Sequence, residues 1–347
     1  MPSFEEVFAE CRKAIGTETP RSASRYPAEH ESIRRYCHMV EDDNPLFLDP
    51  GYAAEHRYGA IVCPPFYTGV AGGWPPSSNL QGANINARVP TPGQRSIVIG
   101  NELEVLGPVR VGDRLTTYGR IADVIRRPIR IDPEALAIVS ETVTENQYGQ
   151  AIRNGRSTVV RHRTPEEIAK LPEPPKFPDG PRAEPPSYNY EPIDKIPAAT
   201  REQRYWDDVK EGDVVPGFEL LLTETRIVLA VSGSQDFNPL HHDREHATQA
   251  GHADIFVNTG FTTACLGRLL STYAGEWGNV KKLALEMRKQ NRPGDLIGLT
   301  GRVVRTYQEN GENLVDLAVW LQNQREGITS PCTATVALPL RGRWPLV

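Results

Sequence analysis

Long apolar runs are missing from this chain, and so is the pattern of a secretion signal. No stretch approaches the roughly 18 apolar residues that a membrane-spanning helix requires. The first residues, MPSFEEVFAECRKAIG, lack the basic start and apolar core of a signal peptide. Their apolar spacing predicts a short amphipathic helix instead. We therefore expect no membrane contact and a cytoplasmic location.

Paired cysteines and a strong net charge are also missing. The five cysteines are far apart and form no CxxC pair, which argues against a zinc ribbon or a disulfide framework and fits a reducing compartment. A net charge of -5 is mild for 347 residues, so no nucleic-acid partner is expected. No glycine-rich phosphate loop occurs between a strand and a helix. The histidines at 241, 242 and 246 have no thiolate nearby, so no metal site is predicted.

Proline, by contrast, is concentrated in one segment. Residues 164–200 contain ten of the thirty prolines. Proline removes a backbone donor and disfavours the α-region in the residue before it, so neither a long helix nor a sheet can continue through this segment. The sequence thus predicts a first unit over 1–163, a semi-rigid linker over 164–204 and a second unit over 205–347.

The two units share two short matches in the same order. DDNPLFLD at 42–49, the first motif copy, matches DFNPLHHD at 236–243, the second motif copy, at a spacing of 194 residues. Gly112-Asp113 then matches Gly294-Asp295 at a spacing of 182 residues. Chance can supply one such match, but two in the same order indicate an internal duplication.

Each unit shows the same coarse order of elements. An Asx-Pro turn comes first and an apolar, helix-like stretch follows, clearest at 260–270. Strand-like runs come next, at 296–304, 314–321 and 332–338. One helix followed by antiparallel strands predicts an α+β unit in which a sheet wraps around a central helix.

A longer motif surrounds the second turn, Asp236-x-Asn238-Pro239-Leu240-His241-x-Asp243-x-x-x-Ala247. It resembles the motif of the MaoC-like dehydratases, the (R)-specific enoyl-CoA hydratase (hydratase 2) group of hotdog-fold proteins. The stretch 206–213 and the turn at 294–295 match the same family. The first unit is similar to the degenerate N-terminal domain of its two-hotdog members. The resemblance covers about residues 20–163 and 205–340.

This resemblance implies a double hotdog, with two antiparallel sheets that each wrap around a central helix and join side by side. It implies an enoyl-CoA hydratase or 3-hydroxyacyl-CoA dehydratase, a hydro-lyase of lipid metabolism that adds or removes water at the 2,3-bond of an acyl-CoA thioester. No cofactor is implied, because CoA is part of the substrate. Homodimers of such chains are also expected.

The resemblance assigns Asp236 and His241 as the catalytic pair. Which of the two delivers the proton to carbon is not decided by the sequence. Asn238 shapes the turn and is a candidate for a hydrogen bond to a catalytic partner or to substrate. The first motif copy has Phe47 where the second has His241. Phenylalanine cannot carry a proton, so one active site per chain is predicted.

One segment departs from the family pattern. The central helix of the family begins with a His-Gly-Met type segment, and Asn258 and Thr259 stand here in place of the His and the Gly. We expect Asn258, Thr259 and Gly260 to serve substrate or oxyanion binding, since backbone amides at a helix start bind anions whatever the side chain. The Ile255–Asn258 segment is similar to hydratases of steroid side-chain CoA esters, which suggests a bulky, steroid-like or branched acyl group.

Substrate size has one further clue in the first unit. A helix predicted to start near Pro65 meets the glycines and prolines of 72–76 and should end early. The polar stretch 77–94 then either widens the acyl tunnel or forms a surface insertion.

Two alternatives stay open at this point. One is a non-catalytic acyl-CoA-binding or partner subunit, suggested by the altered helix start and the inactive first unit. The other is a thioesterase on the same fold, which would release free CoA.

Overall fold

A computed structural model describes residues 3–67, 89–176 and 190–342 of the chain. The first half has α-helices α1 (Phe4–Arg12), α2 (His30–Met39), α3 (Pro45–Leu48), α4 (Pro50–Glu55) and α5 (Pro165–Ala169). Its strands are β1 (Ser22–Ala23), β2 (Arg95–Val105), β3 (Thr116–Arg126), β4 (Leu136–Glu145) and β5 (Ala151–His162).

The second half has a similar order, with a longer first strand and a long central helix. It begins with a 3₁₀ helix (Trp206–Asp208), and a second 3₁₀ helix (Pro239–His241) follows α6. Its α-helices are α6 (Glu224–Ser234), α7 (Arg244–Gln249) and α8 (Thr259–Ala274). Its strands are β6 (Val214–Leu221), β7 (Asn279–Glu286), β8 (Leu296–Glu309), β9 (Glu312–Asn323) and β10 (Gly327–Ala337).

The described strands form one antiparallel sheet whose order is symmetrical about its centre, β1-β3-β4-β5-β2-β7-β10-β9-β8-β6. Each half contributes five strands in the same relative order. The halves join where β2 pairs with β7 over five residue pairs, from Gly100 opposite Glu286 to Glu104 opposite Lys282. The predicted α+β double hotdog is confirmed, and its two sheets are continuous.

Helix α8 is the central helix of the second half. Eleven of its sixteen residues are buried, among them Phe261, Leu266 and Leu270. A helix that is apolar on nearly every side belongs inside a fold. Each large apolar side chain that is fully buried stabilises the fold by about 1.5–3 kcal/mol. Asn258 caps the start of the helix, and Gly275, at φ 71, ends it.

The corresponding helix of the first half was predicted to start near Pro65. No helix has begun by Tyr67, because 65–67 form a turn and Phe66 has a φ of 64, outside the helical region. The predicted early end and the loop at 77–94 lie mainly outside the described residues, which resume at 89. The widened tunnel therefore stays a prediction.

The proline-rich segment holds the short helix α5, which begins with Pro165 at its first position, where a missing N–H costs nothing. Farther along, Ala198 forms a single parallel bridge with Gly217, so the end of this segment lies against β6. The predicted boundaries of the two units and of the linker stay predictions.

All five cysteines are free thiols, as the sequence predicts. None of the helices in the described ranges combines the length and the apolar character needed to cross a membrane.

Candidate active site

Asp236 lies directly after the C-cap residue of helix α6. The helix stops because its C-cap residue, Gln235, adopts the left-handed conformation, with a φ of 58. Glu41 has a φ of 55 at the matching place of the first half, directly before Asp42. A non-glycine residue in this region is uncommon, and its repetition shows that both halves use the same backbone reversal to place their aspartate.

The Asn-Pro pair then forms the 3₁₀ helix that carries His241. The Oδ1 atom of Asn238 accepts a hydrogen bond from the amide of Leu240 at 3.1 Å, and proline occupies the first helical position. The amide of Asn238 in turn donates to Oδ1 of Asp236 at 3.3 Å. Asn238 thus acts as an exposed cap that links the aspartate to the helix. This is the turn-shaping role that the sequence predicts.

His241 is buried, and both of its ring nitrogens have defined neighbours. Its Nδ1 lies 2.9 Å from the carbonyl oxygen of Phe256, and its Nε2 lies 3.5 Å from Oδ2 of Asp236. A carbonyl can only accept, so Nδ1 carries a hydrogen and donates it. Proton exchange is therefore left to Nε2, on the side of the carboxylate. The structure brings the two predicted catalytic residues together.

The carboxylate of Asp236 is the open member of the pair, with a side chain 45% exposed, against 9% for His241. Burial alone raises the pKa of Asp236, but the contact with His241 and the amide of Asn238 outweigh it and hold the pKa below its ordinary value. Asp236 is therefore ionised at neutral pH and can accept a proton from a bound molecule.

The start of helix α8 lies beside this pair. Asn258 is buried, and its Oδ1 accepts from the amide of Phe261 while its Nδ2 donates to Oγ of Ser234, both at 2.7 Å. Its side chain therefore fixes the helix start, a role that we did not predict. Gly260 packs so closely that an added Cβ would lie 2.9 Å from Cβ of Ser234, two residues before Asp236.

The amides of Thr259 and Gly260 belong to the first turn of α8, where backbone N–H groups have no acceptor within the helix. Both residues are partly exposed. They can therefore donate to an anionic oxygen beside Asp236. Their oxyanion role stays a prediction.

The first motif copy shares this backbone but not its chemistry. The amide of Asn44 donates to Asp42, and the side chain of Asn44 caps Leu46, both at 3.1 Å. Phe47 is buried at the place of His241. The side chain of Asp42 is only 3% exposed and lies 3.6 Å from Arg201. The carboxylate of Asp42 is therefore buried, and Phe47, which stands at the place of His241, cannot transfer a proton.

A neighbour of the pair was not anticipated from the sequence. The ring of His252 packs at 4.9 Å against the ring of Phe256, which in turn lies 5.1 Å from the ring of His241. Its Nδ1 accepts from Gln290 at 2.9 Å. Burial and the charge of Arg292 lower the pKa of His252, so it is neutral at pH 7. No sequence signal reveals this, because the contact depends on tertiary packing.

Comparison with solved structures supports the fold. A MaoC-like dehydratase superposes with a TM-score of 0.70 at 18% identity, over 94% of this chain and 98% of that one. A conserved hypothetical protein of Mycobacterium tuberculosis, described as a double hotdog, gives a TM-score of 0.61 at 14% identity, over 97% and 98% of the two chains.

Two sequence comparisons point the same way. Residues 13–154 match the family model described as FAS1-like, dehydratase domain region. The 3-oxo-4,17-pregnadiene-20-carboxyl-CoA hydratase beta subunit of Mycobacterium tuberculosis is 29% identical over 130 residues, which is 38% of this chain and 95% of that protein. The chain is therefore similar in fold to a MaoC-like dehydratase, and over residues 13–154 it matches the dehydratase-region model. At the start of helix α8, Asn258 is bound to Ser234, and the first-turn amides of Thr259 and Gly260 have no acceptor within the helix.

Proposed function

We propose that the protein hydrates, and in reverse dehydrates, the 2,3-bond of an acyl-CoA thioester at Asp236 and His241. The observation that carries this proposal is the 3.5 Å separation of Nε2 of His241 from Oδ2 of Asp236. At that separation both atoms can contact one water molecule at about 2.8 Å. The family resemblance supplies the substrate class.

The residues support a balanced sequence of steps. The oxygen of the bound water attacks C3, and its proton passes to the ionised Asp236. The electron pair of the double bond moves through C2 to the thioester oxygen, which the amides of Thr259 and Gly260 hold. The proton on Asp236 passes across the 3.5 Å gap to Nε2 of His241, which delivers it to C2. Both groups are then back in their starting protonation states.

A bulky acyl group is the finer part of this proposal. It is supported by the Mycobacterium tuberculosis relative, whose name specifies a pregnadiene carboxyl-CoA, and by the Ile255–Asn258 segment beside the pair. Small and large enoyl-CoA esters should therefore be compared directly.

The test follows the loss of conjugated enoyl-thioester absorbance over a panel of CoA esters, from four carbons to steroid-sized. We expect turnover that is highest on the bulky esters and absent in His241→Ala. Turnover that survives in His241→Ala would refute the assignment of this residue. A preference for the four-carbon ester would refute the bulky acyl group.

A second candidate is a partner subunit within a larger assembly. The observation that favours it is the name of the same relative, which is one subunit of a hydratase. In that case the purified chain would bind acyl-CoA without consuming it. Light scattering after size exclusion would measure its assembly, for which we propose a homodimer.

A further inference from the structure

A cavity of about 260 Å³ lies between the two halves, beside the inactive first motif copy. Asn44 and Phe47 form part of its wall from the first half. Ser271, Gly275 and Lys281 contribute from the second half, where α8 ends and β7 begins. The cavity therefore lies next to Asn44 and Phe47, and neither Asp236 nor His241 is among its lining residues.

Two mostly buried arginines face this cavity without a carboxylate partner. Arg57 donates to the carbonyls of Trp277 and Gly278, at 3.3 and 2.7 Å, and its buried Nε has no hydrogen-bond partner. Arg153 donates to the carbonyl of Tyr67 at 2.8 Å. Neither forms an ion pair with any residue in the described ranges. Their hydrogen bonds are to carbonyl oxygens, which carry only a partial charge. Arg57 also lies over the ring of Tyr58, 4.5 Å from its centroid.

The rest of the wall offers no compensating charge. Lys281 is paired with Glu312 at 3.0 Å, and no aspartate or glutamate is among the described residues that line the cavity. Glu276 precedes Trp277, whose carbonyl accepts from Arg57, but its carboxylate contacts Tyr52 and His56 instead. The undescribed stretch 68–88, which follows Tyr67 directly, contains no acidic residue at all.

Buried charges are normally paired, because removing an ion from water is costly. Burial lowers the pKa of both guanidinium groups, but arginine stays protonated at neutral pH. Two positive charges thus share one small cavity, and an anion bound there would neutralise them. Guanidinium groups hold carboxylates with two parallel hydrogen bonds.

The remaining lining decides the kind of anion. Leu46, Val62, Phe66, Val109 and Ile152 give the cavity an apolar wall. At roughly 30 Å³ for a water-sized group, the volume holds about nine heavy atoms. We propose that the cavity binds a small organic carboxylate with an apolar body of about five or six carbons, held by Arg57 and Arg153.

Sequence supports a role that belongs to the first half alone. At the spacing of 194 residues that relates the two motif copies, Arg57 of the first half aligns with Gly251 of the second half. The second half therefore lacks this cation beside its catalytic pair. The first half, which has Phe47 in place of the histidine, is thus the half that carries Arg57.

The test uses isothermal titration calorimetry on the full chain with hexanoate and with hexanamide, its neutral isostere. We expect one hexanoate per chain, bound about ten-fold or more tightly than hexanamide, because hydrogen bonds to charged groups are stronger than neutral ones. Arg153→Met should weaken hexanoate binding by a similar factor, and Arg153→Lys should restore part of it. Arg34→Met, on the exposed face of α2, is the matched control and should leave binding unchanged.

His241→Ala should bind hexanoate like the wild type, which separates this cavity from the proposed active site. The inference fails if hexanamide binds as tightly as hexanoate, if Arg153→Met has no effect, or if no hexanoate binds. Binding of inorganic phosphate in place of hexanoate would also refute the carboxylate. Circular dichroism of each variant checks that the fold is retained.

Discussion

Asp42 and Asp236 occupy the same position in the two halves, but the side chain of Asp42 is 3% exposed and that of Asp236 is 45% exposed. Both follow a left-handed residue, and both accept the amide of the Asn two residues later. The same turn therefore holds a buried carboxyl group in the first half and an exposed one in the second half. This contrast explains why one motif copy is a candidate active site and the other is structural.

The closed carboxylate should make stability depend on pH. Burial raises the pKa of Asp42 above its ordinary value of 3.8, against the opposing effects of the Asn44 amide and Arg201. The folded state then keeps a proton that the unfolded chain has lost, so this contribution to stability is complete below about pH 4 and decreases as the pH rises through the raised pKa. Urea unfolding should show Asp42→Asn gaining stability relative to the wild type between pH 4.5 and pH 7.

Asp43→Asn is the control for this experiment, because Asp43 contacts the same Arg201 but its side chain is 85% exposed. Its stability relative to the wild type should change little over the same range. A larger loss for Asp42→Asn at pH 7 than at pH 4.5 would show that the carboxylate is ionised and stabilising.

The histidine can be replaced by the residue that the first half already uses. His241→Phe copies Phe47 and should lower kcat for hydration by about 10²- to 10⁴-fold, the usual contribution of a general acid or base. The double variant His241→Phe/Phe47→His should remain inactive, because the neighbouring Asp42 is closed off beside Arg201. Initial rates on the best enoyl-CoA ester measure both. Activity recovered in the double variant would contradict the account of the first half.

The close approach of two helices should make Gly260 hard to replace. In Gly260→Ala the new Cβ would lie 2.9 Å from Cβ of Ser234, and overpacking of this kind costs about 1–3 kcal/mol. The better helix propensity of alanine returns about 1 kcal/mol at most. Urea unfolding should show a net loss for Gly260→Ala and little change for the neighbouring Thr259→Ala. Equal stabilities of the two variants would mean that α6 and α8 are free to move apart.

The two asparagine caps should differ in their importance. Asn258→Ala removes two buried hydrogen bonds, to Phe261 and Ser234, and should cost about 2–3 kcal/mol. Asn238→Ala removes an exposed cap and should cost about 1 kcal/mol. Thermal unfolding of both variants measures the difference. A smaller loss for Asn258→Ala than for Asn238→Ala would contradict the structural role of Asn258.

Local chemistry made much of this fold predictable from the sequence. The Asn-Pro turns, the repeat at a spacing of 194 residues and the apolar run of α8 are each carried by neighbouring residues, so the duplicated hotdog could be inferred. The pair Asp236 and His241 was assigned by resemblance, because both residues belong to one short motif that resembles the family's. The structure adds the distance between their reactive atoms.

Long-range contacts could not be predicted in this way. The carbonyl that orients His241 comes from Phe256, fifteen residues away, and Asp42 meets Arg201 from across the chain. The side chain of Asn258 donates to Ser234, a partner that the packing of α6 supplies, while its role in substrate or oxyanion binding stays a prediction. These hydrogen-bond and ion-pair partners depend on how the helices and strands pack together, and a short sequence motif carries no information on that packing.

The central claim is tested most directly by comparing Asp236→Asn with Asp42→Asn. Both substitutions replace a carboxyl group with an amide in the same turn and leave an oxygen for the same backbone amide. Hydration of the best enoyl-CoA ester should fall by about 10²-fold or more in Asp236→Asn and stay near the wild-type rate in Asp42→Asn. Comparable rates for the two variants would contradict catalysis at Asp236.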